Sequence, residues 1–151
     1  MMTTQSILLV DDSENDIFLM HRAFKKAEFN APVHEVHDGE EAIAYLAGEG
    51  QYHDRAQFPL PCLIFLDLNM PRKNGFEVLA WIRTQPVFNP IAIVVLTASA
   101  RPEDIQRTFD LGATYFLVKP SNTTVLATML QSLRDWTRLN HFPPRNEMVS
   151  R

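Results

Sequence analysis

Short apolar runs alternate with longer segments in which apolar residues recur every three or four positions, and the alternation repeats along the whole chain. Ile7-Leu8-Leu9-Val10 has strand length and stops at Asp11-Asp12-Ser13, whose polar side chains can cap a following helix. That helix is predicted from Glu14 to Ala27, with Ile17, Phe18, Met20, Ala23, Phe24 and Ala27 on one buried face. Pro32 forbids continuation, so Val33 to His37 reads as a second, less apolar strand near a sheet edge. Asp38-Gly39 signals a turn, and Glu40 to Ala47 reads as a helix with Ala42, Ile43 and Leu46 inward, closed by Gly48 and Gly50. The stretch from Gly48 to Pro61, with His53-Asp54-Arg55 and two prolines, reads as a polar surface loop lengthened by an insertion.

Leu63 to Leu66 is an unbroken apolar run ending at Asp67, the pattern of a central parallel strand covered on both faces. A helix from Gly75 to Arg83, a strand from Ile91 to Leu96 ending at Thr97, and a helix from Pro102 to Leu111 stopped by Gly112 follow. Tyr115 to Val118 makes a fifth strand ending at Lys119-Pro120, and Asn122 to Leu139 a last amphipathic helix. Five strand–helix units in strict alternation predict an α/β fold, a doubly wound five-stranded parallel sheet with helices on both faces. Residues 1–139 form one domain on this reading, and 140–151 a short polar C-terminal tail.

Composition narrows the function. The 151 residues are 46% hydrophobic and 21% charged with a net charge of −4, which offers no basic stripe for nucleic acid. No apolar run reaches the ~18 residues that a membrane span needs, and the polar start is no signal peptide. A cytoplasmic protein is expected, and the one cysteine, Cys62, reads as a buried structural thiol. Zinc is unsupported: the five histidines lack HExxH or CxxC companions, and His34 and His37 fall on opposite faces of a strand.

Candidate chemistry lies where the apolar strands stop. Parallel strands share one carboxyl edge, so Asp11, Asp12, Asp67, Thr97 and Lys119 are predicted to converge there. Three close carboxylates cannot all ionise beside a single lysine, and an all-oxygen set of this kind favours Mg²⁺. Asp12 and Asp67 are the expected direct ligands, Asp11 acts through water, and Asn69 can offer a backbone carbonyl. A carboxylate beside Mg²⁺ and Lys119 can attack phosphorus, and Asp67, which ends a central strand alone, is the candidate acceptor. Lys119 and the Thr97 hydroxyl would bind the arriving charge.

These residues bring the chain to a resemblance. Asp11-Asp12, Leu66-Asp67-Leu68-Asn69-Met70-Pro71 with Gly75, Thr97-Ala98 and Lys119-Pro120 resemble, in order and spacing, the receiver domain of two-component response regulators. The long loop before Asp67 is most similar to single-domain regulators that work with phytochrome-type sensor kinases. The resemblance implies the flavodoxin-like strand order 2-1-3-4-5 and transfer from a kinase phosphohistidine to Asp67, with Mg²⁺ on Asp12, Asp67 and the Asn69 carbonyl. It further implies a switch in which Thr97 turns to the phosphoryl group and Phe116 follows from outward to inward, and a cis peptide at Lys119-Pro120. Such a protein is not an enzyme beyond its own phosphorylation and slow dephosphorylation. Asn69 and Ser99 occupy positions that tune phosphoryl loss, and neither is a strong base.

Two other readings compete. A phosphatase of the haloacid dehalogenase type also uses an aspartate nucleophile, but its second aspartate, the general acid, is replaced here by Asn69. A receiver-like interaction module that takes no phosphate usually lacks one of the acidic or lysine positions, all of which are present. Trp136, Leu139 and Phe142 concentrate large apolar side chains near the chain end, so a homodimer through the last strand, last helix and tail is expected.

Overall fold

Ile7–Val10, Leu63–Leu66 and Ala92–Thr97 lose every side chain to the interior, as unbroken apolar strands must when helices cover both faces of the sheet. The computed structural model describes residues 5–98 and 101–140, without the side chains of 136–140. The elements are β1 (Ile7–Val10), α1 (Glu14–Lys26), β2 (Val33–Val36), α2 (Gly39–Ala47), β3 (Leu63–Leu66), α3 (Gly75–Arg83), β4 (Ala92–Thr97), α4 (Pro102–Asp110), β5 (Tyr115–Val118) and α5 (Thr123–Asn140). All neighbouring strands are parallel in the order β2-β1-β3-β4-β5, so the expected 2-1-3-4-5 sheet forms.

Strand alternation splits the interior into two cores. Leu8, Val10, Ile64, Leu66, Ile93 and Val95 face Leu46, Val78, Leu79 and Ile82 of α2 and α3. Ile7, Leu9, Leu63, Phe65, Val94 and Leu96 face Ile17, Met20 and Phe24 of α1 and Leu126, Leu130 and Leu133 of α5. Cys62 lies half-buried beside the second core, and burial pushes its thiol up, so it is not activated.

Two expectations are corrected. Phe18 is 57% exposed rather than inward. At about 100° per residue it lies opposite the stripe of Ile17, Met20, Ala23 and Phe24, and the Arg22 guanidinium sits 5.7 Å over its ring. The segment 48–61 is not a plain polar loop. Tyr52 and Leu60 are buried, and the rings of Tyr45, Tyr52 and Phe58 pack mutually at 5.1–6.0 Å. Arg55 donates to the carbonyls of Tyr45, Leu46 and Phe58 at 2.7–3.1 Å, occupying the open end of α2. These apolar residues follow neither period, so nothing local marks them; their burial is set by contact with α2.

Ser99, the side chains of Trp136 and Leu139, Phe142 and the tail, on which the phosphoryl-tuning and dimer-arm expectations fall, lie outside the described residues.

Candidate functional site

The carboxyl ends of the strands are aligned by hydrogen bonds that continue the parallel register. The Asp11 N–H donates to Val36 O (3.2 Å), the Asp67 N–H to Val10 O (3.0 Å) and the Lys119 N–H to Thr97 O (2.8 Å). Residues more than a hundred positions apart in the chain thereby meet at one edge, the switch point of the sheet.

One carboxylate oxygen from each of Asp11, Asp12 and Asp67 lies within 4.8 Å of the others. Asp11 and Asp67 are buried and Asp12 is exposed. Both oxygens of Asp11 are engaged within the chain, Oδ1 by the Ser13 N–H (3.0 Å) and Oδ2 by Lys119 Nζ (2.7 Å). That engagement suits a contact through water rather than direct ligation. The Lys119 ammonium also meets Asp16 Oδ2 at 2.9 Å and stands 3.7 Å from Asp67 Oδ2.

Burial pushes Asp67 up to about 6; Lys119 opposes the rise, Asp11 adds to it, the Asn69 N–H opposes it by hydrogen bonding, and Asp12 adds to it. Burial acts to lower Lys119, but the hydrogen bonds it donates to Asp11 and Asp16 and the charge of Asp67 outweigh it and hold the lysine above its ordinary value. Three carboxylates within 3.7 Å of one ammonium, with Asp12 grouped beside Asp11 and Asp67, leave excess negative charge. Hard oxygen donors with that excess fit a divalent cation of the Mg²⁺ type. The side chain of Asn69 is exposed, and its backbone joins the site beside Asp67.

Thr97 is fully buried and its Oγ1 has no hydrogen-bond partner among the described residues. A hydroxyl left unpaired in the interior is costly, so a partner arriving at this edge gains what the resting site lacks. Phe116, opposite Val95 in the β4–β5 register, packs half-buried against the α2–α3 core, whereas Tyr115 is 36% exposed. No peptide bond is cis among the described residues, so the expected cis Lys119-Pro120 is absent. Lys119 reaches the carboxylates without it, its backbone fixed by the bond to Thr97 O.

The loop after Asp67 is pinned at both ends. Gly75 donates to Leu68 O (2.9 Å), and a Cβ at Gly75 would press into the backbone of Asp67 and Leu68. Asn74 and Glu77 form a reciprocal capping box on α3. Between these ends Arg72, at φ +65°, donates to Asp38 Oδ2 from both Nε (2.9 Å) and Nη2 (2.5 Å). Burial acts to raise Asp38, but hydrogen bonds from the Glu41 N–H and Arg72 prevail and hold its carboxyl below its ordinary value. Asp11, Asp12, Asp67, Thr97 and Lys119 lie at this edge as their places at the strand ends predict, whereas Asp16 and the Asp38–Arg72 pair join it unpredicted. Asp16 had a signal, one helical turn beyond Asp12, but an acid in a first turn is ordinary for a helix.

A flavodoxin-like domain with an aspartate–lysine pocket at its switch point is the class that fold and site define. The chain belongs to the response regulator receiver domains, whose family profile matches residues 7–131. It is 36% identical over 130 residues to Response regulator Rcp1 of Synechocystis sp., covering 86% of each chain. Among solved structures it is similar to the phosphorylated cyanobacterial phytochrome response regulator RcpA, with TM-score 0.79 and 36% identity over 89% of this chain and 94% of that one. The Mn²⁺-bound form of Rcp1 is similar at TM-score 0.76 and 36% identity, over 86% of this chain and 91% of that one.

Proposed function

We propose that this chain is a response regulator that takes a phosphoryl group onto Asp67 from a phosphohistidine of a sensor histidine kinase. One side chain carries the reading: Thr97 Oγ1, fully buried and unpaired among the described residues, shares its sheet edge with Asp67 and the Lys119 ammonium. An ionised Asp67 oxygen attacks phosphorus and the P–N bond breaks. Its electron pair stays with the imidazole, which leaves neutral when its other nitrogen carries a proton. Lys119 and the Asn69 N–H stabilise charge at the acceptor, and the Thr97 hydroxyl donates to a phosphoryl oxygen. Asp12, Asp67 and the Asn69 carbonyl, with Asp11 through water, would hold Mg²⁺, which when bound neutralises the transferring oxygens. The Mn²⁺-bound form of the relative Rcp1 supports a divalent ion.

Phosphorylation then acts as a switch, because the new dianion interacts differently with two positions of Thr97 and, through it, of Phe116. The protein turns over no external substrate. The likeness to RcpA and Rcp1 supports a phytochrome-type kinase. A cytoplasmic location accords with such a partner, and no helix among the described residues is long and apolar enough to cross a membrane.

Intact mass after incubation with acetyl phosphate and Mg²⁺ tests the reading. One phosphoryl adduct is expected, lost in Asp67→Asn and in EDTA and persisting beyond a few seconds; an unchanged mass for the native chain would refute it. Exposed Phe109, Tyr115, Val118 and Val125 on α4, β5 and α5 support a homodimer through that face. Sedimentation at tens of micromolar should show it, and a monomer throughout would contradict it.

A further inference from the structure

We propose that Asp16 is a positioning residue that holds the Lys119 ammonium back from Asp67 until a phosphoryl group arrives; this rests on the phosphoacceptor reading above. Lys119 has three N–H donors. Two are spent on Asp11 Oδ2 (2.7 Å) and Asp16 Oδ2 (2.9 Å), while Asp67 Oδ2, at 3.7 Å, is within charge contact but beyond a hydrogen bond. Asp11 grips the lysine from a side chain that is 2% exposed and is itself locked by the Ser13 N–H. Asp16 is different: its carboxylate is 37% exposed, and it lies outside the group of three carboxylates that can share a cation.

The position of Asp16 is set by the start of α1. Ser13 Oγ accepts the Asp16 N–H at 3.2 Å as the N-cap of that helix, which places the carboxylate over the β5 end. Its grip has two effects. It directs one of the ammonium's donors away from the acceptor, and its own negative charge offsets part of the ammonium's positive potential at Asp67. A phosphoryl dianion on Asp67 competes for the same ammonium, which turns from Asp16 while Asp11 keeps its hold. Asp16 therefore stabilises the resting arrangement, and only an interaction that differs between the two arrangements can shift their populations.

The test is the rate of acetyl phosphate labelling at saturating Mg²⁺, read by intact mass. Asp16→Asn and Asp16→Ser are expected to be labelled about threefold faster, within what a half-exposed ion pair supplies. Asp16→Glu, which retains the charge, should show less than half of that gain. The acceleration should vanish in a Lys119→Ala background. A misfolded variant cannot gain rate, so a gain carries its own control for folding. Equal or slower labelling of both Asp16→Asn and Asp16→Ser overturns the proposal, as does the same acceleration without Lys119. A native chain that takes no phosphoryl at all overturns the phosphoacceptor reading and this inference with it; a labelled native chain with unaltered Asp16 variants overturns only the inference.

Discussion

Lys119→Ala is expected to lower the stability of the metal-free protein at neutral pH by about 3 kcal/mol, the usual cost of removing one member of a buried ion pair. Among the described residues, Asp11, with a side chain 2% exposed, would keep only its bond to the Ser13 N–H, and Asp67 would lose the ammonium that opposes its rise. Mg²⁺ should restore much of the loss, because it neutralises the same carboxylates. Labelling at Asp67 should fall at least about tenfold, since the ammonium is a fixed charge aimed at the acceptor. Urea unfolding with EDTA and with Mg²⁺ reads the first effect. Identical midpoints for native and variant chains in EDTA would show that the lysine is not holding these carboxylates.

Asp67→Asn should produce the opposite change in stability while abolishing phosphorylation. The folded chain raises Asp67 from 3.8 to about 6, so the native state binds this proton more tightly than the unfolded chain does. Its stabilising contribution is complete below pH ~4 and is lost as pH rises through ~6. With ~1.4 kcal/mol per unit, the ionised carboxylate costs the metal-free protein on the order of 2–3 kcal/mol at pH 7. The asparagine variant should then be the more stable protein in EDTA at pH 7, with the difference closing towards pH 4. Saturating Mg²⁺ should also narrow it, by binding the native chain alone. A difference that does not vary with pH would show that burial of Asp67 is not the cause.

Much of this was legible in the sequence for identifiable reasons. The runs at Ile7–Val10, Leu63–Leu66 and Ile91–Leu96 are apolar at every position, which only a strand covered on both faces requires. Because each run stops at a polar residue, the converging set Asp11, Asp12, Asp67, Thr97 and Lys119 could be read without coordinates. Phe18 misled because three- and four-residue steps from several neighbours admit it to a stripe that the helix turns away. The packing of Tyr52, Phe58 and Leu60 under Arg55 had no periodic signature, since a segment without regular structure has no period to display.

Asp16 and the Asp38–Arg72 pair belong to a different class of question. An aspartate in a helix's first turn and another at a helix cap are each locally satisfied, and nothing nearby announces a distant cation. The chain alone determined the alternation of strands and helices, the parallel sheet and the edge where the reactive side chains gather, because hydrophobic periodicity and strand termini are local properties. Tertiary structure alone decided which carboxylates share Lys119, that Thr97 is left without a partner, and that Asp67 rises to about 6. Those depend on distances and burial between segments remote in sequence, and electrostatic energies in a poorly solvated pocket change with every ångström of their separation.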